Sequence, residues 1–148
     1  MQNITPMLWF DNQAEEAMNL YLSIFPNSKR LSVARYPEGS MGPAGTVMTC
    51  SFELNGFTFT ALNGGPIFKF TEAVSFIVNC KDQAEIDHYW NALTANGGVE
   101  SQCGWLKDKF GVSWQIIPEN MAALISKPAA MQAMLKMKKL IIADLQNA

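Results

Sequence analysis

Chemistry in a chain of 148 residues falls first to its titratable and nucleophilic side chains, and here they are few: one histidine and three cysteines. His88 lies between Asp87 and Tyr89, outside the stripe formed by Ile86, Trp90 and Leu93, so it reads as a solvent-facing helix position and not as a base or a metal ligand. Cys50, Cys80 and Cys103 are odd in number and show no CxxC spacing. That excludes a disulfide framework and a thiolate zinc knuckle, and they read as small packed hydrophobes. Cys103 becomes nucleophilic only if Lys107 lowers its pKa. Glu72 and Glu119 flank strands, where loop carboxylates are normally solvated. Asn63-Gly64-Gly65-Pro66 has the composition of a phosphate cradle but follows a strand without opening a helix, so a tight turn is the better reading. What is left for recognition is neutral: hydroxyls, side-chain amides and aromatic rings. Such groups bind small planar or amphipathic molecules by stacking and hydrogen bonding.

Composition narrows the partners. With 49% hydrophobic and 16% charged residues the chain suits one compact globular unit, or two small ones sharing a core. Eleven basic against thirteen acidic residues give a net charge of -2, too little positive charge to hold a nucleic acid by its phosphates. No apolar run approaches the roughly 20 residues that span a bilayer, and the first residues lack a basic region followed by an apolar one. A soluble, cytoplasmic protein without nucleic-acid or membrane partners is expected.

The elements that must position these groups follow from periodicity and turn chemistry. Ile4 to Phe10 reads as a buried strand. Asn12 and Glu15 then read as the cap of a helix with Ala14, Ala17, Met18, Tyr21, Leu22 and Phe25 on one face, stopped by Pro26-Asn27. Leu31 to Tyr36 is a weaker strand, followed by a Pro- and Gly-rich loop. Thr46 to Leu54 and Phe57 to Leu62 form a hairpin about Asn55-Gly56. The order then repeats. Ala73 to Cys80 is a strand; Asp82-Gln83-Ala84-Glu85 answers Asn12-Gln13-Ala14-Glu15; Ile86, Tyr89, Trp90 and Leu93 form a second helical stripe; and Asn96-Gly97-Gly98 ends that helix. Val99 to Leu106 reads as extended chain, Lys107-Asp108-Lys109 as a charged turn, and Val112 to Ile117 as a last strand between Gly111 and Pro118. From Met121 the sequence predicts two short helices, with Pro128 in a first turn.

A βαβββ unit used twice resembles the vicinal oxygen chelate superfamily of glyoxalase I, bleomycin-resistance proteins and extradiol dioxygenases. Ile4-Thr5-Pro6 with Leu8-Trp9-Phe10-Asp11, Ala14-Glu15-Glu16-Ala17, Phe25-Pro26, Ala61-Leu62-Asn63-Gly64-Gly65-Pro66, Ala73-Val74-Ser75-Phe76 and the block Cys103 to Gln115 resemble its PhnB-like branch. Similar sequences often carry the label 3-demethylubiquinone-9 3-methyltransferase, although this chain has neither the length nor the glycine-rich strand-to-helix turn of a nucleotide-type cofactor site.

The resemblance implies an α+β fold: two βαβββ repeats, 1–65 and 72–118, forming a curved, half-closed mixed sheet around a cavity, plus a helical extension at 119–148. It also implies metal ligation by His and Glu from the first and last strands of each repeat. Those windows hold no His, Asp, Glu or Cys on the expected faces, and Gln115 stands where a glutamate is expected. The expectation is therefore binding of an unidentified small molecule without metal or other cofactor, with Trp9, Thr60, Ser75, Trp105 and Gln115 as the binding residues. A metal-dependent or methyltransferase-type enzyme is the alternative. The apolar tail, with Met131, Met134, Ile141 and Leu145 unable to share one face, adds the expectation of a homodimer.

Overall fold

A computed structural model describes residues 2–148, which fall into two compact units, one ending at Lys69 and the other covering Phe70–Ala148. The first contains β1 (Met7–Phe10), α1 (Ala14–Ile24), β2 (Lys29–Arg35), β3 (Val47–Leu54) and β4 (Phe57–Asn63). The second contains β5 (Ser75–Cys80), α2 (Gln83–Thr94), β6 (Val99–Glu100), β7 (Trp105–Lys107), β8 (Ser113–Pro118) and three short helices, α3 (Met121–Leu124), α4 (Pro128–Leu135) and α5 (Ile142–Gln146). Each unit is a four-stranded mixed sheet, ordered β1-β4-β3-β2 and β5-β8-β7-β6. In each, the first and last strands run parallel and the other pairs antiparallel. The duplication read from the sequence is real to the level of register: Met7 lies opposite Thr60, and its counterpart Ile77 opposite Gln115.

In the first unit, strand alternation sends Leu8, Phe10, Cys50, Phe52, Phe59 and Ala61 under α1, where Ala14, Ala17, Met18 and Tyr21 meet them, all buried. The hairpin turns at Asn55 (φ 52°) and Gly56 (φ 81°), the two positive φ values that a two-residue type I′ turn requires. The start of α1 departs from expectation. Asn12 does not cap it; the helix follows Gln13, which makes no side-chain cap bond. Instead the Ala14 N–H donates to Asn63 Oδ1 at 2.8 Å, while Asn63 Nδ2 donates to the Val47 carbonyl at 3.1 Å. One side chain at the end of β4 thus ties α1 to β3.

The second unit does use the local cap: Asp82 accepts from the Glu85 N–H at 2.9 Å and Glu85 Oε1 from the Lys81 N–H at 3.3 Å. Ile86, Tyr89, Trp90 and Leu93 are buried as their spacing predicts. The Trp90 indole N–H donates to Glu100 Oε1 at 2.6 Å, fastening α2 to β6.

Three readings need correction here. The extended chain expected at 99–106 is broken at 101–104, where Cys103 (φ 59°) and Gly104 (φ 85°) turn the backbone through the left-handed region. The expected charged turn at 107–109 contains a buried carboxylate: Asp108 accepts from the Phe110 and Val112 N–H groups at 2.9 and 3.1 Å and from the Trp114 indole at 3.0 Å. The tail forms three helices, not two, because its apolar residues dock on the body of the unit in short pieces.

Leu140 seats over Gly104, where a Cβ would come within 2.9 Å of the Ile116 carbonyl and 3.1 Å of Leu140 Cδ1. Gln83 donates to the Leu140 carbonyl at 3.0 Å and accepts from the Ile142 N–H at 2.8 Å.

The cysteines divide by environment. Burial, reinforced by nearby carboxylates, pushes the thiols of Cys50 and Cys80 up from 9.0 to about 11 and about 12. Both are buried, whereas Cys103 is half-buried. Above pH 9 the unfolded chain releases these protons while the native chain holds them, so stability falls as pH rises from 9 toward 12. The loss is on the order of 2 kcal/mol per thiol by pH 11. Urea melts at pH 8, 9.5 and 11 check this: the decline should shrink in a Cys50→Ala/Cys80→Ala variant and persist unchanged if the thiols play no part.

Candidate functional site

In the second unit, α2 covers the face of β8 that carries Trp114 and Ile116, so Ser113, Gln115 and Ile117 belong to the opposite face. Register places Gln115 between Ile77 on β5 and Trp105 on β7, and Ser113 between Ser75 and Lys107. Gln115 Nε2 donates to Ser75 Oγ at 2.9 Å, which orients the amide and leaves Oε1 as its acceptor. Lys107 pairs with Glu72; its hydrogen bond and charge hold the Glu72 carboxyl below the usual carboxylate range. Ser113 is 1% exposed, and its Oγ has no hydrogen-bond partner among the described residues. Three of the sequence-predicted residues, Ser75, Trp105 and Gln115, therefore come together as one neutral patch with an indole beside it.

In the first unit, Met7, Thr60 and Ser51 lie abreast on the face away from α1, and Trp9, Leu62 and Thr49 form the next row. The Thr60 and Ser51 hydroxyls are 3.2 Å apart. Trp9 donates its indole N–H to the Gly65 carbonyl at 2.9 Å and meets Phe68 edge-on, ring centroids 5.0 Å apart. Trp9 and Thr60 thus share a sheet face in adjacent rows.

Where β1 and β4 end, the loop after β2 closes a cleft of about 740 Å³. Trp9, Tyr36, Met48, Leu62, Asp11 and Glu15 are among its walls. Apart from Trp9, none of these was a predicted site residue. The only local signal was the Pro- and Gly-rich loop after Tyr36, which says nothing of what it closes over.

The metal that the superfamily resemblance implies meets the wrong donors. The positions in register at the first and last strands are Met7 with Thr60 and Ile77 with Gln115. A thioether, a hydroxyl, an alkyl group and a neutral amide supply no charge to a divalent ion that prefers imidazole and carboxylate. Among the described residues no three His, Cys, Asp or Glu side chains gather as a possible metal cluster. His88 is exposed on α2, and the Glu72 side chain is 61% exposed. The connections into the two helices, Asp11-Asn12-Gln13 and Lys81-Asp82, contain no glycine to cradle a pyrophosphate. No helix among the described residues is long and apolar enough to cross a membrane.

A family model described as 3-demethylubiquinone-9 3-methyltransferase matches residues 2–117. The PhnB protein of Bacillus cereus is 39% identical in sequence, with a TM-score of 0.72 over 78% of this chain and 99% of that one. A protein from Pseudomonas aeruginosa, 21% identical, gives a TM-score of 0.65 over 80% of this chain and 98% of that one. The fosfomycin resistance protein FosX of Listeria monocytogenes, solved with Mn(II) and sulfate, is 12% identical with a TM-score of 0.54, covering 82% of this chain and 94% of its own. At those last two identities the likeness is one of fold. No curated protein matches the chain. On the family match and on the doubled βαβββ topology that carries it, this chain belongs to the PhnB-like 3-demethylubiquinone-9 3-methyltransferase family, with the fold of the vicinal oxygen chelate superfamily.

Proposed function

We propose that this protein binds small molecules on the open faces of its sheets without a metal: in the first unit through the Thr60 hydroxyl and the Trp9 indole, and in the second through Ser75 and Gln115 as hydrogen-bonding groups with Trp105 as a stacking surface. The observation that carries this reading is Gln115, an amide held by Ser75 at 2.9 Å in the row where the fold expects a carboxylate. An amide so fixed offers one directed acceptor to a ligand and no charge to an ion. A cytoplasmic location accompanies this reading, on the strength of three unpaired cysteines. So does a homodimer, supported by the exposed apolar side chains of Met131 and Leu135 on α4.

Tag-free protein should carry less than one tightly bound Zn, Ni, Mn or Fe per chain by elemental analysis. In a thermal-shift screen across metabolites and divalent metals, a metabolite should raise the melting temperature, because a ligand at 100 times its Kd stabilises by about 2.7 kcal/mol. Gln115→Ala should remove that shift. Stoichiometric metal, or a metal-dependent shift abolished by Gln115→Ala, overturns the reading.

A further inference from the structure

The cleft at the end of β1 and β4 has two aromatic walls that the chain has already locked. Trp9 lies so close to Gly64 that a Cβ there would overlap the indole, and its N–H is spent on the Gly65 carbonyl. Tyr36 lies against Gly42 in the same way, and its hydroxyl donates to the Asn63 carbonyl. Both rings have used their polar atoms internally, so what they retain for a ligand is π surface. Each is also held by a glycine in a position from which a larger residue would push it. Rings fixed in this way lose little conformational entropy when something binds between them.

The charge in the same cleft is of one sign. Asp11 and Glu15 line it, among the described residues no Lys or Arg does, and the Pro43, Val47, Met48 and Leu62 walls are apolar. Glu15 has a long, exposed contact with Arg30 at 3.5 Å, which lies outside the lining. The first turn of α1 does not recruit an anion: the Ala14 N–H is taken by Asn63, the Ala17 N–H by the Gln13 carbonyl, and Glu15 and Glu16 occupy the turn. A volume of about 740 Å³ falls within the 300–1,000 Å³ usual for small-molecule sites.

We propose that this cleft is a binding site for a small amphipathic cation, an ammonium group on an apolar or aromatic body. The body lies against Trp9, Met48 and Leu62; the cation faces the Tyr36 and Trp9 rings and is neutralised by Asp11 and Glu15. The inference shares only Trp9 with the open-face reading and does not depend on it.

The test follows the Trp9 indole N–H and the Gly64 and Gly65 amides by ¹⁵N NMR in the full chain. The titrants are phenethylammonium, the neutral 2-phenylethanol and the anion 3-phenylpropionate. Phenethylammonium should give a saturable shift of these three signals, weakened about tenfold in Asp11→Asn/Glu15→Gln and three- to thirtyfold in Tyr36→Leu. The double variant changes only partly or fully exposed carboxylates, so its fold is retained and checked by its spectrum. No saturable shift at roughly 10 mM, equal binding of 3-phenylpropionate, or indifference to the double variant overturns the proposal. A metabolite shift lost in Gln115→Ala, together with no saturable phenethylammonium shift, would leave the open-face reading standing while this one fails.

Discussion

Asp108→Ala should destabilise the second unit by about 3–5 kcal/mol, a loss comparable to the whole stability of a protein at the lower end of the ordinary range of about 5–15 kcal/mol. The carboxylate is 2% exposed and serves three donors at once: two backbone N–H groups and the Trp114 indole. Hydrogen bonds to a charged acceptor are worth about 1.5–3 kcal/mol each, and Val112 and Trp114 are too buried for water to take over. Asp108→Asn separates charge from shape. Its one remaining oxygen can still receive the backbone donors, but its amide nitrogen then meets the Trp114 N–H, and the cost should fall to about 1–3 kcal/mol. Urea melts followed by near-UV circular dichroism read both. An Asp108→Ala chain that melts within 1 kcal/mol of the parent would show that the turn is held by its backbone alone.

Removal of residues 127–148 should cost the second unit at least about 5 kcal/mol. Leu140 and Leu145 are buried in it, and each such burial is worth roughly 1.5–3 kcal/mol. The tail also accepts the Cys103 and Gly104 N–H groups through the Met137 and Lys138 carbonyls, both at 2.8 Å, and fills both ends of the Gln83 amide. Lys139 reaches Asp87 at 3.1 Å; the hydrogen bonds of Gln83 and then of Lys139 hold that carboxyl below its usual range. Deletion leaves Gly104 facing solvent where Leu140 sat. The truncated chain should be insoluble or bind a hydrophobic dye, and Leu140→Ala in the full chain should lose about 2–5 kcal/mol. A truncation that melts with the full chain would mean that the tail is an appendage and the sheet suffices.

The amino-acid sequence by itself determined the order of elements through α2, the duplication, the helical stripes and the Asn55-Gly56 hairpin. Each of these rests on neighbours within a turn or a strand pair: a period of 3.6 or 2, or two residues that accept positive φ. Asp82 capped its helix as read because its partner stands three residues away. Asn12 did not, because the group that serves Ala14 is Asn63, 49 residues distant, and nothing in the spacing of either residue announces the other. The absence of metal donors from the strand windows was likewise legible, being a matter of residue type and parity. Parity separates the two faces of each strand, but which face lies open, and the hydrogen bond from Gln115 to Ser75, needed the folded chain and the parallel β5-β8 register. Tertiary structure alone decided that a carboxylate between two lysines is buried. The cost of desolvating Asp108 is offset by donors that fold back around it, and burial is a property of those neighbours rather than of the residue. It alone also made the acidic, aromatic cleft. Glu15 reads from sequence as part of a helix cap and Asp11 as the end of a strand; only the folded chain sets both beside the loop that follows Tyr36. Local rules act over a few residues; enclosure is produced by segments that meet only in the folded chain.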